Sequence, residues 1–178
     1  MIGKDVQIGP RTTIGEGVVI DDGVKIGSGC FIGHNTVIRD RVVLGNNVII
    51  GHLCVIERDT VIKEGTTIQS QSHITAQATI GKQCYFGPCV MIINERRISK
   101  WREMDQKLQG PVIGDFCRIG AASRIAPGVK IGNNCEIGMG AVVMDDVPDN
   151  QVWFSRKAKA EYQYDTPEGQ RMSDVVHS

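Results

Sequence analysis

The stretch Val90–Ser99, VMIINERRIS, sets an amide, a carboxylate and two guanidinium groups side by side as Asn94, Glu95, Arg96 and Arg97. An amide can orient an amine or a hydroxyl for attack, and a carboxylate can accept the proton that is released. Guanidinium groups match phosphate geometry, so Arg96 and Arg97 suit a diphosphate; a solvated basic turn is the plainer reading. The histidines are His34, His52, His73 and His177. His73 is the one whose position brings it near Asn94. It could bind or deprotonate a substrate, or simply pack in an interface. No C-x-x-C or H-x-x-x-H spacing occurs, so a zinc site is not expected.

The elements that hold these residues are legible as a beat. From Ile2 to Ile92, every sixth residue is Ile, Leu or Phe. The beat stops at Asn94 and resumes at Ile113, Ile119, Ile125, Ile131, Ile137 and Val143. Four residues after each large residue stands a small one, such as Val24, Cys30, Thr36 and Val42. Residues of equal parity in extended chain face the same way, and the glycine and polar residues between them suit bends. A short strand and a bend every six residues make a coil, and stacked coils make a parallel β-helix. Three hexapeptides per coil predict about seven coils, a rod on the order of 35 Å long. The same arithmetic puts His34 over His52, and His73 one coil before Met91, within roughly 5–10 Å of Asn94.

The expected organisation is an all-β helix over 1–148, with an inserted loop at 95–111 and a C-terminal extension at 149–178. Within the loop, Ile98, Trp101, Met104 and Leu108 have helix-like spacing, Ser99 could cap, and Gly110–Pro111 would end the turn. Cys30, Cys54, Cys84, Cys117 and Cys135 occupy small inward positions, and only Cys89 does not. They are expected to act as small core residues and to stay reduced. Outward residues before each large one include Phe31, Val37, Val43, Ile49, Val55, Val61, Tyr85 and Met91, which marks an interface. The formal net charge is zero, which argues against nucleic acid as a partner. No apolar run reaches the ~18 residues that span a bilayer, and the N-terminus shows no signal-peptide pattern. A cytoplasmic protein without a membrane partner is the expectation.

The pattern [LIV]-[GAED]-x-x-[STAV]-x resembles the hexapeptide-repeat acyltransferases. The segment from "VMIINERRIS" through "GPVIGDFCRIGAASRIAPGVKIGNNCEIGMGAVVMDDVP" is similar to the nucleotide-sugar N-acyltransferases of bacterial surface-polysaccharide biosynthesis, and "IQSQS" resembles an upstream coil of those enzymes. The resemblance implies a left-handed coil, against the right-handed rule for crossover connections in general. It implies a homotrimer with active sites between subunits, and acyl transfer from acetyl-CoA or another acyl-CoA to the amine of a nucleotide-linked amino sugar, with no metal. It implies catalytic roles for Asn94, Glu95 and His73, and substrate contacts from Glu57, Gln69, Arg96 and Arg97. Coenzyme A would lie along the Gly- and Ala-rich coils after Ile113, near Arg124, Ala126, Gly140, Arg156 and Lys157. Two departures stand out. "FSRKAK" at Phe154–Lys159 replaces the usual GNPA[KR], and Arg96, Arg97 and Ile98 replace an NPR. The competing readings are a hexapeptide acyltransferase with an O-linked or small-amine acceptor, and a carbonic-anhydrase-like or non-catalytic β-helix.

Overall fold

The computed structural model describes residues 1–95 and 108–154. Each described hexapeptide contributes a strand of two residues, and the strands line up as three parallel sheets of seven, eight and seven strands. The sheets are the faces of a triangular prism. Face A runs through Val19–Ile20, Val37–Ile38, Val55–Ile56, His73–Ile74, Met91–Ile92, Arg124–Ile125 and Val142–Val143. Face B runs from Gln7–Ile8 to Lys130–Ile131, and face C from Thr13–Ile14 to Val152–Trp153. Val152–Trp153 pairs with Glu136–Ile137, so the coil continues past the boundary expected at 148.

The beat is the core. Ile32, Ile38, Ile50, Ile56, Ile62, Ile68, Ile74 and Ile80 are fully buried, stacked along the axis with the small residues between them. The first residue of each strand faces outward and the second inward. The small positions also form a hydrogen-bond ladder. Thr36 Oγ1 donates to the Gly51 carbonyl at 2.8 Å and accepts from the Cys54 N–H at 3.1 Å. Cys54 Sγ in turn donates to the Gln69 carbonyl at 3.3 Å. Cys30, Cys84, Cys117 and Cys135 make the same kind of S–H contact to the next coil. The core cysteines are therefore donors as well as small apolar residues, standing where threonine stands in other coils. All six cysteines are free.

The three corners are not alike. At the B–C and C–A corners the residue after the buried isoleucine is usually glycine, because the next coil passes too close for a side chain. A Cβ on Gly27 would sit 2.6 Å from the Gly45 backbone. At the A–B corner the equivalent column is Asp21, Arg39, Glu57, Thr75 and Ile93, which presents side chains instead. There the register breaks: Ile80 pairs with Ile113 instead of the residue eighteen positions on. The chain leaves the coil after Ile93, whose N–H still donates to the Ile125 carbonyl, and is back in it at Gln109, whose N–H donates to the Asn94 carbonyl at 3.2 Å. The helical arm expected around Trp101, together with Arg96, Arg97, Arg156 and Lys157, lies outside the described residues.

Candidate functional site

The described candidates gather on face A and its two edges. His73 and Arg124 point outward from face A, on either side of Met91 in one column. Glu57, Asn94, Glu95 and Ala126 sit at the A–B corner, and Gln69 and Gly140 at the C–A corner. A rigid strand ladder between two corners thus holds groups that are far apart in the chain.

Asn94 is half-buried, and its amide is oriented. Nδ2 donates to the Ala76 carbonyl of the preceding coil at 3.4 Å. That contact leaves Oδ1 as an acceptor at the mouth of the insertion. Glu95 follows it, exposed. His73 is half-buried and pairs in register with Val55 and Met91. Three residues of extended chain, about 10 Å, plus one coil spacing separate it from the level of Asn94. Within one chain the two do not touch; a substrate between them could meet both. Glu57 is half-buried, and its carboxylate has no ion pair or side-chain hydrogen bond among the described residues. Ala126 is buried under the same corner, so it could offer backbone only.

On the other edge of face A, a depression of about 350 Å³ follows the C–A corner. Its floor is the glycine column Gly87, Gly120 and Gly138; Arg118 and Glu136 wall it, and Phe154 closes one end. The Phe154 ring lies where a side chain on Gly138 would be. One feature of this corner was not legible as chemistry in the sequence. In lower coils each N–H two residues after the isoleucine is capped by a side chain of the next coil, as His52 N–H is by Ser70 Oγ at 3.1 Å. Above Ser70 stands Pro88 and above Ala121 stands Met139, neither with a side-chain oxygen or ring nitrogen. The N–H groups of Ser70 and Ala121 have no hydrogen-bond partner among the described residues. Ala121 lines the depression. A larger depression of about 450 Å³ lies on face B against Val43, Val61 and Lys63, and none of the candidates lines it.

Among the described residues the histidines do not converge. His34 and His52 stack at the C–A corner, ring centroids 5.3 Å apart, while His73 stands on face A. Among the described residues no three His, Cys, Asp or Glu side chains are grouped to hold a metal ion. No described helix is long and apolar enough to cross a membrane.

Comparison with known proteins agrees with this architecture. The family model for bacterial transferase hexapeptide (six repeats) matches residues 1–33, 23–58, 59–94 and 110–145, so the unmatched gap falls on the insertion. Among solved structures, the UDP-N-acetylglucosamine acyltransferase of Francisella novicida superposes with a TM-score of 0.65 at 20% identity, over 81% of this chain and 56% of that one. The polysialic acid O-acetyltransferase OatWY superposes with a TM-score of 0.57 at 20% identity, over 94% of this chain and 98% of that one. These likenesses are of fold. In sequence, Saccharomyces cerevisiae YJL218W, provisionally named an acetyltransferase, is 45% identical over 56 residues, 28% of this chain. The chain covers 29% of that relative's length and 56% of the Francisella enzyme's. With the family model covering well over half of its residues, the chain belongs to the bacterial transferase hexapeptide family.

Proposed function

We propose that this protein transfers an acyl group, in the simplest case acetyl, from a coenzyme A thioester to the amine of a nucleotide-linked amino sugar, in sites shared between the subunits of a homotrimer. The observation that carries the reading is the oriented Asn94 amide at the point where the coil opens. In this reading Asn94 Oδ1 accepts one amine hydrogen and turns the nitrogen lone pair towards the thioester carbonyl. The C–N bond forms, the C–S bond breaks, and the amine proton leaves through Glu95 or His73 while the sulfur departs as the coenzyme thiol. The Ala121 N–H, without a partner among the described residues, is a candidate donor to the oxyanion that develops on the carbonyl, and the glycine floor beside it suits a thin pantetheine arm. Arg124, Gly140, Arg156 and Lys157 stand as candidate contacts for the coenzyme; Gln69, Arg96 and Arg97 stand as candidates for the nucleotide sugar. Six free thiols suit a reducing compartment such as the cytoplasm.

The test is thiol release from acetyl-CoA, and from longer acyl-CoAs, in the presence of UDP-, dTDP- and GDP-linked amino sugars. Acceptor-dependent release with an N-acylated product supports the reading. Release only with hydroxyl acceptors or small amines would replace the acceptor, and no release with any acceptor would replace the activity.

A further inference from the structure

The stacked pair His34 and His52 takes no part in the chemistry above, and the backbone fixes what it can do. Glu16 N–H donates to His34 Nδ1 at 2.8 Å, and His34 N–H donates to His52 Nδ1 at 2.9 Å. A ring nitrogen that accepts a hydrogen bond does not carry the proton, so each neutral imidazole holds its hydrogen on Nε2. In this tautomer Nε2 is neither a base nor a metal ligand. The rings are 9° from parallel and exposed, and they offer two outward N–H donors at the C–A corner. Phe31 meets His52 edge-on at 6.1 Å, and Ile49 and Leu53 are exposed nearby. No lysine or arginine stands in this corner column, whereas Glu16 does, which disfavours a phosphate ligand. Two donors within an apolar rim fit a protein surface that supplies carboxylates.

Face A borders this corner. Its outward column holds Val19, Val37 and Val55 in unbroken register. Higher up, His73 and Arg124 interrupt that column, but faces B and C are interrupted more often, by Gln7, Lys25, Thr79 and Lys130 and by Thr13, Thr67, Arg118 and Glu136. The far edge of face A is the A–B corner, with Glu57, which has no side-chain partner among the described residues, and with Asp40, whose ion pair is a long 3.7 Å contact to Arg41.

We infer that the face A surfaces of three copies enclose a threefold axis, so that the C–A corner of each copy meets the A–B corner of the next. His52 of one copy then donates to Glu57 of its neighbour, and His34 to Asp40. The inference rests on the proposed three-copy assembly and names its contacts. Rotation about an axis parallel to the rod moves nothing along it, so groups at equal height meet. His52 and Glu57 flank one strand, Val55–Ile56, and differ in height by about a third of a coil spacing, ~1.6 Å. His34 and Asp40 flank Val37–Ile38 in the same way. Higher on the same junction, Asn94 of one copy comes level with the Gly87–Cys89 corner of the next. The oriented amide and the glycine-floored depression then face each other across the subunit boundary.

The test is proximity cross-linking. His52→Cys and Glu57→Cys are combined in a Cys89→Ser background, treated with a short bismaleimide, and separated on a denaturing gel. The expected result is a three-subunit band that neither single cysteine variant yields. His34→Cys with Asp40→Cys is the second pair, used if the first does not fold. A folded protein that sediments as a trimer yet gives no cross-link with either pair overturns the arrangement and leaves the trimer standing. A single-subunit mass overturns the assembly itself. Thiol release from acyl-CoA is measured separately on the unsubstituted protein, so failure of the chemistry is not mistaken for failure of the interface.

Discussion

The side-chain amide of Asn94 donates to the carbonyl oxygen of Ala76, eighteen residues earlier and one coil away. The contact holds the last residue before the insertion in a set orientation, which a catalytic group on an otherwise open corner requires.

Asn94→Ala removes the acceptor without touching the core. It is expected to lower kcat/KM at least about tenfold, equivalent to about 1.4 kcal/mol of transition-state stabilisation. The midpoint of thermal unfolding should stay near that of the unsubstituted protein. Full activity in this variant would place the chemistry elsewhere on the prism.

His73 faces outward from a column otherwise apolar up to Met91. If it takes the amine proton, His73→Asn lowers kcat and removes an inflection from the pH–rate profile. An unchanged profile with an altered sedimentation mass assigns it to packing against another copy.

Burial pushes the Cys54 and Cys135 thiols up, and Cys117 is pushed up by its hydrogen-bonded neighbour Cys84 and by burial. Five thiols are buried out of reach of a reagent and Cys89 is exposed, so the native protein should show one quickly titrating thiol, and all six only after denaturation. Cys54→Ala loses both volume and the donor to Gln69, at a cost of about 1–2 kcal/mol in urea unfolding. Cys54→Thr reproduces the Thr36 pattern and should cost less.

Arg41 holds Asp59 below the ordinary carboxylate range, through a hydrogen bond of 2.7 Å and then its charge. A depressed folded-state pKa contributes stability above the unfolded value, and that contribution is lost as pH falls through the folded one. Asp59→Asn should therefore be less stable than the unsubstituted protein at neutral pH. The gap should close as the solution is acidified through the carboxylate range, and should narrow in high salt because both groups are exposed.

Much of this molecule is written in the spacing of one residue class. The isoleucine beat dictates the inward faces, because a two-residue strand has one buried side chain, and eighteen residues return the chain to the same face. That arithmetic placed His34 over His52 and His73 beside Met91, and it located the opening at Asn94. The tertiary structure decided what depends on the neighbouring coil. It turned the core cysteines into donors, because a carbonyl of the next coil lies within reach of each Sγ. It locked the tautomer of the stacked histidines, because the N–H groups of Glu16 and His34 point at their Nδ1 atoms. It left the Ala121 N–H without a partner among the described residues, because Met139 above it has no side-chain oxygen or nitrogen. Each of these turns on a distance of a few ångströms between residues of adjacent coils, which a repeat pattern along one chain does not specify.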